Sequence, residues 1–145
     1  MKLVLQRVLN SSVHVDGREI ARISRGLTIL FGAEKGDTGK QAEYLAEKTL
    51  TLRIFPDLRG KMNRSCLDIG GEILVVSQFT LAGDCSKGRR PGFDRAAPPD
   101  VAENLYRLFI ERLAASGIKV AAGKFAADMR VDIQNDGPVT FILER

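Results

Sequence analysis

The chain has 145 residues, 44% of them hydrophobic and 28% charged, ordinary proportions for a globular protein long enough to bury a core. No apolar run approaches the roughly 18 residues of a membrane span, and Lys2 and Arg7 bring charge too early for a signal peptide. A net charge of +4 is too small for a protein that coats DNA, but it suits a partner whose phosphates are touched at a few points.

Lys2 to Leu9 is predicted as a strand. Ser12 to Val15 and Arg18 to Ile23 make a hairpin across Asp16-Gly17, a pair that suits a type I′ turn. Leu27 to Phe31 is a short apolar strand. From Thr38 to Leu52 the residues Ala42, Leu45, Ala46 and Thr49 fall on one stripe, which predicts a helix capped by Asp37 or Thr38. Arg53 to Phe55 is extended, as Pro56 demands of its predecessor, and Asp57-Leu58-Arg59-Gly60 turns the chain.

Gly70-Gly71 introduces a strand from Glu72 to Phe79 around the run Ile73-Leu74-Val75-Val76. Residues 82–98 form an irregular stretch rich in Gly, Arg and Pro, and a loop of that length is uncommon without a function. Pro99 or Asp100 opens a second helix to Ser116, with the stripe Val101, Leu105, Leu108, Phe109 and Leu113 and a stop at Gly117. Met129, Val131 and Ile133 alternate with polar residues in a half-buried strand, and Val139 to Leu143 is the last strand. Many strands and two helices, out of regular alternation, predict a single α+β domain over residues 1–145 with a mostly antiparallel sheet.

Several chemistries are missing. His14 is the one histidine, and its apolar, alternating neighbours give it a structural or surface role. Without a second histidine or a cysteine cluster there is no zinc site of the usual kind, and a Ser-His-Asp triad would have to use His14. Gly32 to Gln41 imitates a phosphate loop but has Glu34 where the first glycine belongs and Gln41 where a hydroxyl would hold magnesium. No cofactor or metal is expected. Cys66 and Cys85 read as free thiols of a reducing cytoplasm.

Three segments remain. Phe79-Thr80 ends an apolar strand, so its N–H groups either pair normally or point into a cleft and cradle an oxyanion. Thr80 has a nucleophile's hydroxyl, but nothing near it in sequence supplies a base. Lys87-Gly88-Arg89-Arg90-Pro91-Gly92 is a basic loop, fit for phosphate or merely solvated. Gly137-Pro138 is either a plain turn or a rigid backbone feature. Proline makes a cis bond cheap there, and glycine relieves the restriction on the residue before it.

Taken together, the chain closely resembles the D-aminoacyl-tRNA deacylase family, also called D-tyrosyl-tRNA deacylase. The resemblance runs in order from Gln6-Arg7-Val8 through Gly32-Ala33-Glu34-Lys35-Gly36-Asp37, Leu52-Arg53-Ile54-Phe55, Gly60-Lys61-Met62-Asn63, Ser77-Gln78-Phe79-Thr80-Leu81, Lys87-Gly88-Arg89-Arg90-Pro91, Phe125 and Ala127-Asp128-Met129 to Asn135-Asp136-Gly137-Pro138-Val139-Thr140. It implies a barrel-like sheet and a cytoplasmic homodimer. The reaction implied is hydrolysis of the ester between a D-amino acid, or glycine, and the 3′-terminal adenosine of tRNA. It places catalysis at Ser77, Gln78, Phe79 and Thr80, substrate binding at Gly137, Pro138, Phe125 and Met129, and RNA binding at Lys87, Arg89 and Arg90. It also implies a cis bond at Gly137-Pro138 and entry of that turn into the other subunit's site. Ala82-Gly83 and Gly92 depart from larger or hydroxyl residues common in the family, and both lie in the long loop. Two other classes stay open on residue types alone: a non-catalytic RNA-binding module, and a small-molecule esterase using Thr80.

Overall fold

The computed structural model describes residues 1–145. Everything in it is mounted on one long strand, β1 (Lys2–Val15). Its first half pairs antiparallel with β3 (Gly26–Gly32), its second half with β2 (Arg18–Ile23), and its other edge with β8 (Arg130–Glu144) along nearly the whole length. Beyond β3, the strands β6 (Glu72–Ser77) and β7 (Val120–Ala122) add in parallel. The order is β2-β1-β3-β6-β7 with β8 on β1, and β2 comes round against β6 and β7 to leave a nearly closed barrel. Antiparallel pairing prevails around β1, whereas both edges of β6 are parallel.

Two helices, α1 (Gly39–Thr51) and α2 (Pro99–Ala114), pack on each other and cover the sheet. Leu45 and Leu50 of α1 and Leu105, Phe109 and Leu113 of α2 meet Leu3, Leu5, Ile29 and Ile73 of the sheet in one core. Val8, Val13, Ile23, Leu74 and Val76 fill the barrel interior. Strands β4 (Phe55–Pro56) and β5 (Met62–Arg64) form a small ribbon apart from the main sheet. No helix is long and apolar enough to cross a membrane.

Local signals act as expected. Asp16 and Gly17 both have positive φ, 50° and 75°, which is the type I′ geometry of a two-residue hairpin. Thr38 caps α1 in a capping box with Gln41, so the residue that spoils the phosphate-loop pattern is the one that closes the helix end.

Boundaries differ from the expected ones in three places. The strands expected at Lys2–Leu9 and Ser12–Val15 are one continuous strand, β1, because pairing with β8 carries the ladder through Asn10 and Ser11. The β6 strand stops at Ser77. The Gln78 N–H still reaches the Phe31 carbonyl at 2.7 Å, and the chain then winds into a single 3-10 turn over Phe79–Ala82. Gly32 makes room for this turn, since a methyl there would stand 2.9 Å from Leu81 Cβ. The two expected C-terminal strands are one strand, β8. Asn135 pairs with Val8 and Thr140 with Gln6, so Asp136 to Val139 bulge out opposite Arg7 while the ladder continues on both sides.

Candidate active site

Where β6 ends, the sheet opens into a cavity of about 770 Å³. Ser77, Gln78 and Phe79 form one wall; Phe125 to Met129, on the path from β7 to β8, form another; Phe93 and the segment leading into α2 close the third. The lining is mainly apolar, with Lys35 and Asp128 as its charged members. Phe79 is 58% exposed and meets Phe93 edge-on, ring centroids 5.1 Å apart. Behind the wall, the Tyr106 ring meets Phe125 at a 44° tilt, centroids 5.9 Å apart, and its hydroxyl donates to the Val75 carbonyl at 2.8 Å. Burial pushes that phenol's pKa well above its usual value, so Tyr106 is a brace for the backbone and not a base.

The backbone at the head of the 3-10 turn has a distinctive feature. The N–H groups of Phe79 and Thr80 find no acceptor in the protein, whereas those of Gln78 and Leu81 on either side are both paired. Unpaired donors are normal at the start of a helical turn; here they sit beside the cavity wall. The Thr80 hydroxyl accepts from the Gln78 carboxamide, and no basic side chain pairs with it. His14 lies elsewhere, on β1 beside Asp132 at 3.2 Å and Glu19 at 3.7 Å. Asp128 faces the cavity while Asp132 stands by His14, so these carboxylates do not converge. No group of His, Cys, Asp or Glu is arranged to hold a metal ion.

The Gly137-Pro138 bond is cis. The excursion that carries it is closed at the neck by Asn135, whose carboxamide donates to the carbonyls of Arg7 at 2.9 Å and Val139 at 3.1 Å. Arg7 fills its base. The guanidinium lies 3.0 Å from the Asp136 carboxylate, a charge pair without hydrogen-bond alignment, and donates to the Ile54 carbonyl at 2.7 Å. Gly137 and Pro138 do not line the cavity of their own chain. The structure thus gathers Ser77, Gln78, Phe79, Phe125 and Met129 on one cavity, leaves Thr80 just outside it, and presents Gly137 and Pro138 elsewhere.

The basic loop borders a second hollow of about 210 Å³, lined by Lys87, Arg90 and Arg95 with Asp84 and Asp94; Arg89 lies outside it. Paired hydrogen bonds between Asp84 and Gly92, at 2.8 and 2.9 Å, close the loop. Hydrogen bonds from Ser86 hold the Asp84 carboxyl below its ordinary range. Residues 92–97 run between the two hollows, turning Phe93 and Ala96 to one and Asp94 and Arg95 to the other.

Sequence reasoning missed Arg7, Phe93 and Lys35. The signal for Arg7 is its phase. Leu3, Leu5 and Arg7 occupy the inward positions of β1, and a cation in that register needs buried partners. Phe93 and Lys35 carry no such signal, because only tertiary folding brings their loops to the cavity.

The profile of the family described as D-Tyr-tRNA(Tyr) deacylase matches residues 4–144. A D-aminoacyl-tRNA deacylase from Geotalea uraniireducens (strain Rf4) is 59% identical over 144 residues, spanning 99% of this chain and 93% of the relative. One from Pelobacter propionicus is 55% identical over 145 residues, spanning 100% of both. Among solved structures, a c-Myc DNA unwinding element binding protein superposes with a TM-score of 0.94 at 45% identity, covering 100% of this chain and 99% of that one. A probable eukaryotic D-amino acid tRNA deacylase shares the fold at 20% identity, with a TM-score of 0.84 over 98% of this chain and 97% of its own.

Proposed function

The chain belongs to the D-Tyr-tRNA(Tyr) deacylase family, and from that premise we propose that it hydrolyses the ester joining a D-amino acid to the 3′ end of tRNA, using backbone groups and not a side-chain nucleophile. The observation that carries the mechanism is the pair of unpaired N–H groups at Phe79 and Thr80 beside an apolar cavity, with no base at the Thr80 hydroxyl.

An aminoacyl ester is already activated, so stabilising the tetrahedral oxyanion and orienting water go far towards hydrolysis. One preorganised donor contributes about 3–4 kcal/mol to the transition state, and holding ester and water in line contributes several more. The ribose 2′-hydroxyl of the substrate gives the proton route that the protein's side chains lack. Ser77 and Gln78 shape the wall that holds these donors; Phe125 and Met129 border the space left for the amino acid.

Selection against L-amino acids falls to the backbone of Gly137 and Pro138, acting as a wall where an L side chain would have to go. A D side chain points away, and glycine, having none, is accepted too, including glycine mischarged on tRNA-Ala. The turn does not line its own chain's cavity, which supports a homodimer in which it enters the partner's site. Beside it, Phe141 and Ile142 are 38% and 64% exposed on β8, apolar surface that a second copy would cover. The setting is the cytoplasm, where the enzyme clears mischarged tRNA as translation quality control.

The test is release of amino acid from matched D-Tyr-tRNA and L-Tyr-tRNA with chelator present. Fast loss of the D ester with survival of the L ester is expected. Loss of both would remove the wall, and loss of neither would leave an RNA-binding module.

A further inference from the structure

The ribbon β4–β5 takes no part in the site described above, yet it gathers exposed cations with few carboxylates among them. Arg53, Arg59, Lys61 and Arg64 are all exposed, and Asp57 is the one carboxylate between residues 53 and 64. None of the four cations forms an ion pair. Asp57 is committed to the turn itself, accepting from the N–H groups of Arg59 at 2.8 Å and Lys61 at 3.0 Å and from the Asn63 carboxamide at 2.7 Å. The turn is therefore held in shape while the Arg59 and Lys61 side chains stay unpaired; Arg64 donates to the Asp68 carbonyl, and the Asp68 carboxylate feels Arg64 and Arg53. Leu58 at the tip is fully exposed and Met62 is 48% exposed. Like charges crowded without partners repel one another, and neither the core nor the cavity uses them. A shape-held ribbon with the unpaired cations Arg59 and Lys61 beside a bare apolar tip matches the phosphates and sugars of a nucleic-acid strand.

Its attachment says which nucleic acid. The Ile54 carbonyl, at the foot of the ribbon, receives the same Arg7 guanidinium that pairs with Asp136. A methyl added at Gly137 would stand 3.1 Å from that guanidinium. Ribbon and Gly137-Pro138 turn thus share one anchor, and the ribbon is carried to the rim of whichever cavity the turn enters. An RNA whose 3′ end is held in that cavity must run its next phosphates past that rim.

We propose that the ribbon Phe55–Arg64 is a second tRNA contact, in which Arg59 and Lys61, supported by Arg53, hold phosphates of the acceptor arm. This rests on the aminoacyl-tRNA reading above. The test is the double variant Arg59→Ala/Lys61→Ala, which keeps Asp57 and Asn63 and so keeps the turn. Binding of uncharged tRNA is measured across salt, and hydrolysis is measured on D-Tyr-tRNA and on the minimal ester D-Tyr-adenosine. Expected are about tenfold weaker tRNA binding at low salt and a plot of log affinity against log salt flattened by about one to two. A raised KM on the tRNA ester and unchanged turnover of the minimal ester should accompany them. Wild-type binding and slope in the variant would overturn the proposal, as would an equal loss on the minimal ester, which would mean damage to the cavity. A wild-type protein that cleaves neither ester would sink the hydrolase reading; a variant that still lost tRNA affinity would leave the ribbon contact standing.

Discussion

Arg7 donates a 2.7 Å hydrogen bond to the carbonyl oxygen of Ile54, and both residues are buried, at 8% and 2% exposure. Arg7→Ala leaves that carbonyl without its donor and Asp136 without its cation. The expected loss is about 2–4 kcal/mol of stability. Arg7→Lys should recover only part of it, because an ammonium keeps the charge but not the fork that serves two partners. Urea denaturation at neutral pH checks this, and equal midpoints for wild type and Arg7→Ala would refute it.

The two mechanisms at Thr80 separate cleanly. Thr80→Ala keeps its N–H and should lose less than about tenfold in rate if backbone donors carry the oxyanion; a side-chain nucleophile would lose nearly everything. At the first position of the 3-10 turn, Phe79→Ala removes the ring alone, and Phe79→Pro removes the N–H as well. Proline suits such a position, so the further loss between these two variants isolates the donor and should reach about a hundredfold in kcat.

Gly137 has φ +128°, and a Cβ there would meet Val139 Cγ2 at 2.6 Å. Gly137→Ala should cost about 1–3 kcal/mol through backbone strain and crowding. The D-to-L ratio of ester cleavage should fall as the excursion shifts. A variant that kept both its thermal midpoint and its chiral ratio would show that the excursion yields without consequence.

Burial pushes the Cys66 thiol up to about 12, whereas Cys85 is exposed. Only the thiolate alkylates. Iodoacetamide at about pH 8 should therefore add one group to the native protein, at Cys85, and a second only after denaturation. Two adducts on the folded chain would mean that the Cys66 region opens readily.

Hydrogen bonds from Asn63, Lys61 and Arg59 hold the Asp57 carboxyl below its ordinary value. A depressed folded-state value stabilises the turn fully above the ordinary aspartate value, and that contribution disappears as pH falls through the lowered one. An NMR titration should place the Asp57 midpoint below that of a model peptide, and the Arg59 and Lys61 amide signals should shift over the same window. An Asp57 midpoint at the ordinary value would mean that these bonds do not persist in solution.

What the sequence disclosed was local. The Asp16-Gly17 hairpin, the Thr38 cap and the stripes of α1 and α2 depend on neighbours a few residues away. The end of β6 was misplaced because Phe79 looks like one more apolar strand residue, while the turn that captures it depends on room left by Gly32. The continuity of β8 was hidden because Gly and Pro normally end strands; only pairing with β1, far away in sequence, carries the ladder past them. Among the candidate residues, Ser77 to Phe79, Phe125 and Met129 share a cavity across two distant stretches. No periodicity links those stretches, and family resemblance alone joined them.

The free amides of Phe79 and Thr80 belong to a group that every amino acid but proline carries. Chemistry resting on them has no side chain to lose. Saturation mutagenesis of such a centre should give an inverted map, tolerant where a catalytic alphabet of Ser, His and Asp would be sought. The intolerant positions should be those that set the path of the main chain, such as Gly32 beneath the turn and Tyr106 behind the wall. Selection then preserves a contour, and drift in the letters that spell it leaves the activity in place.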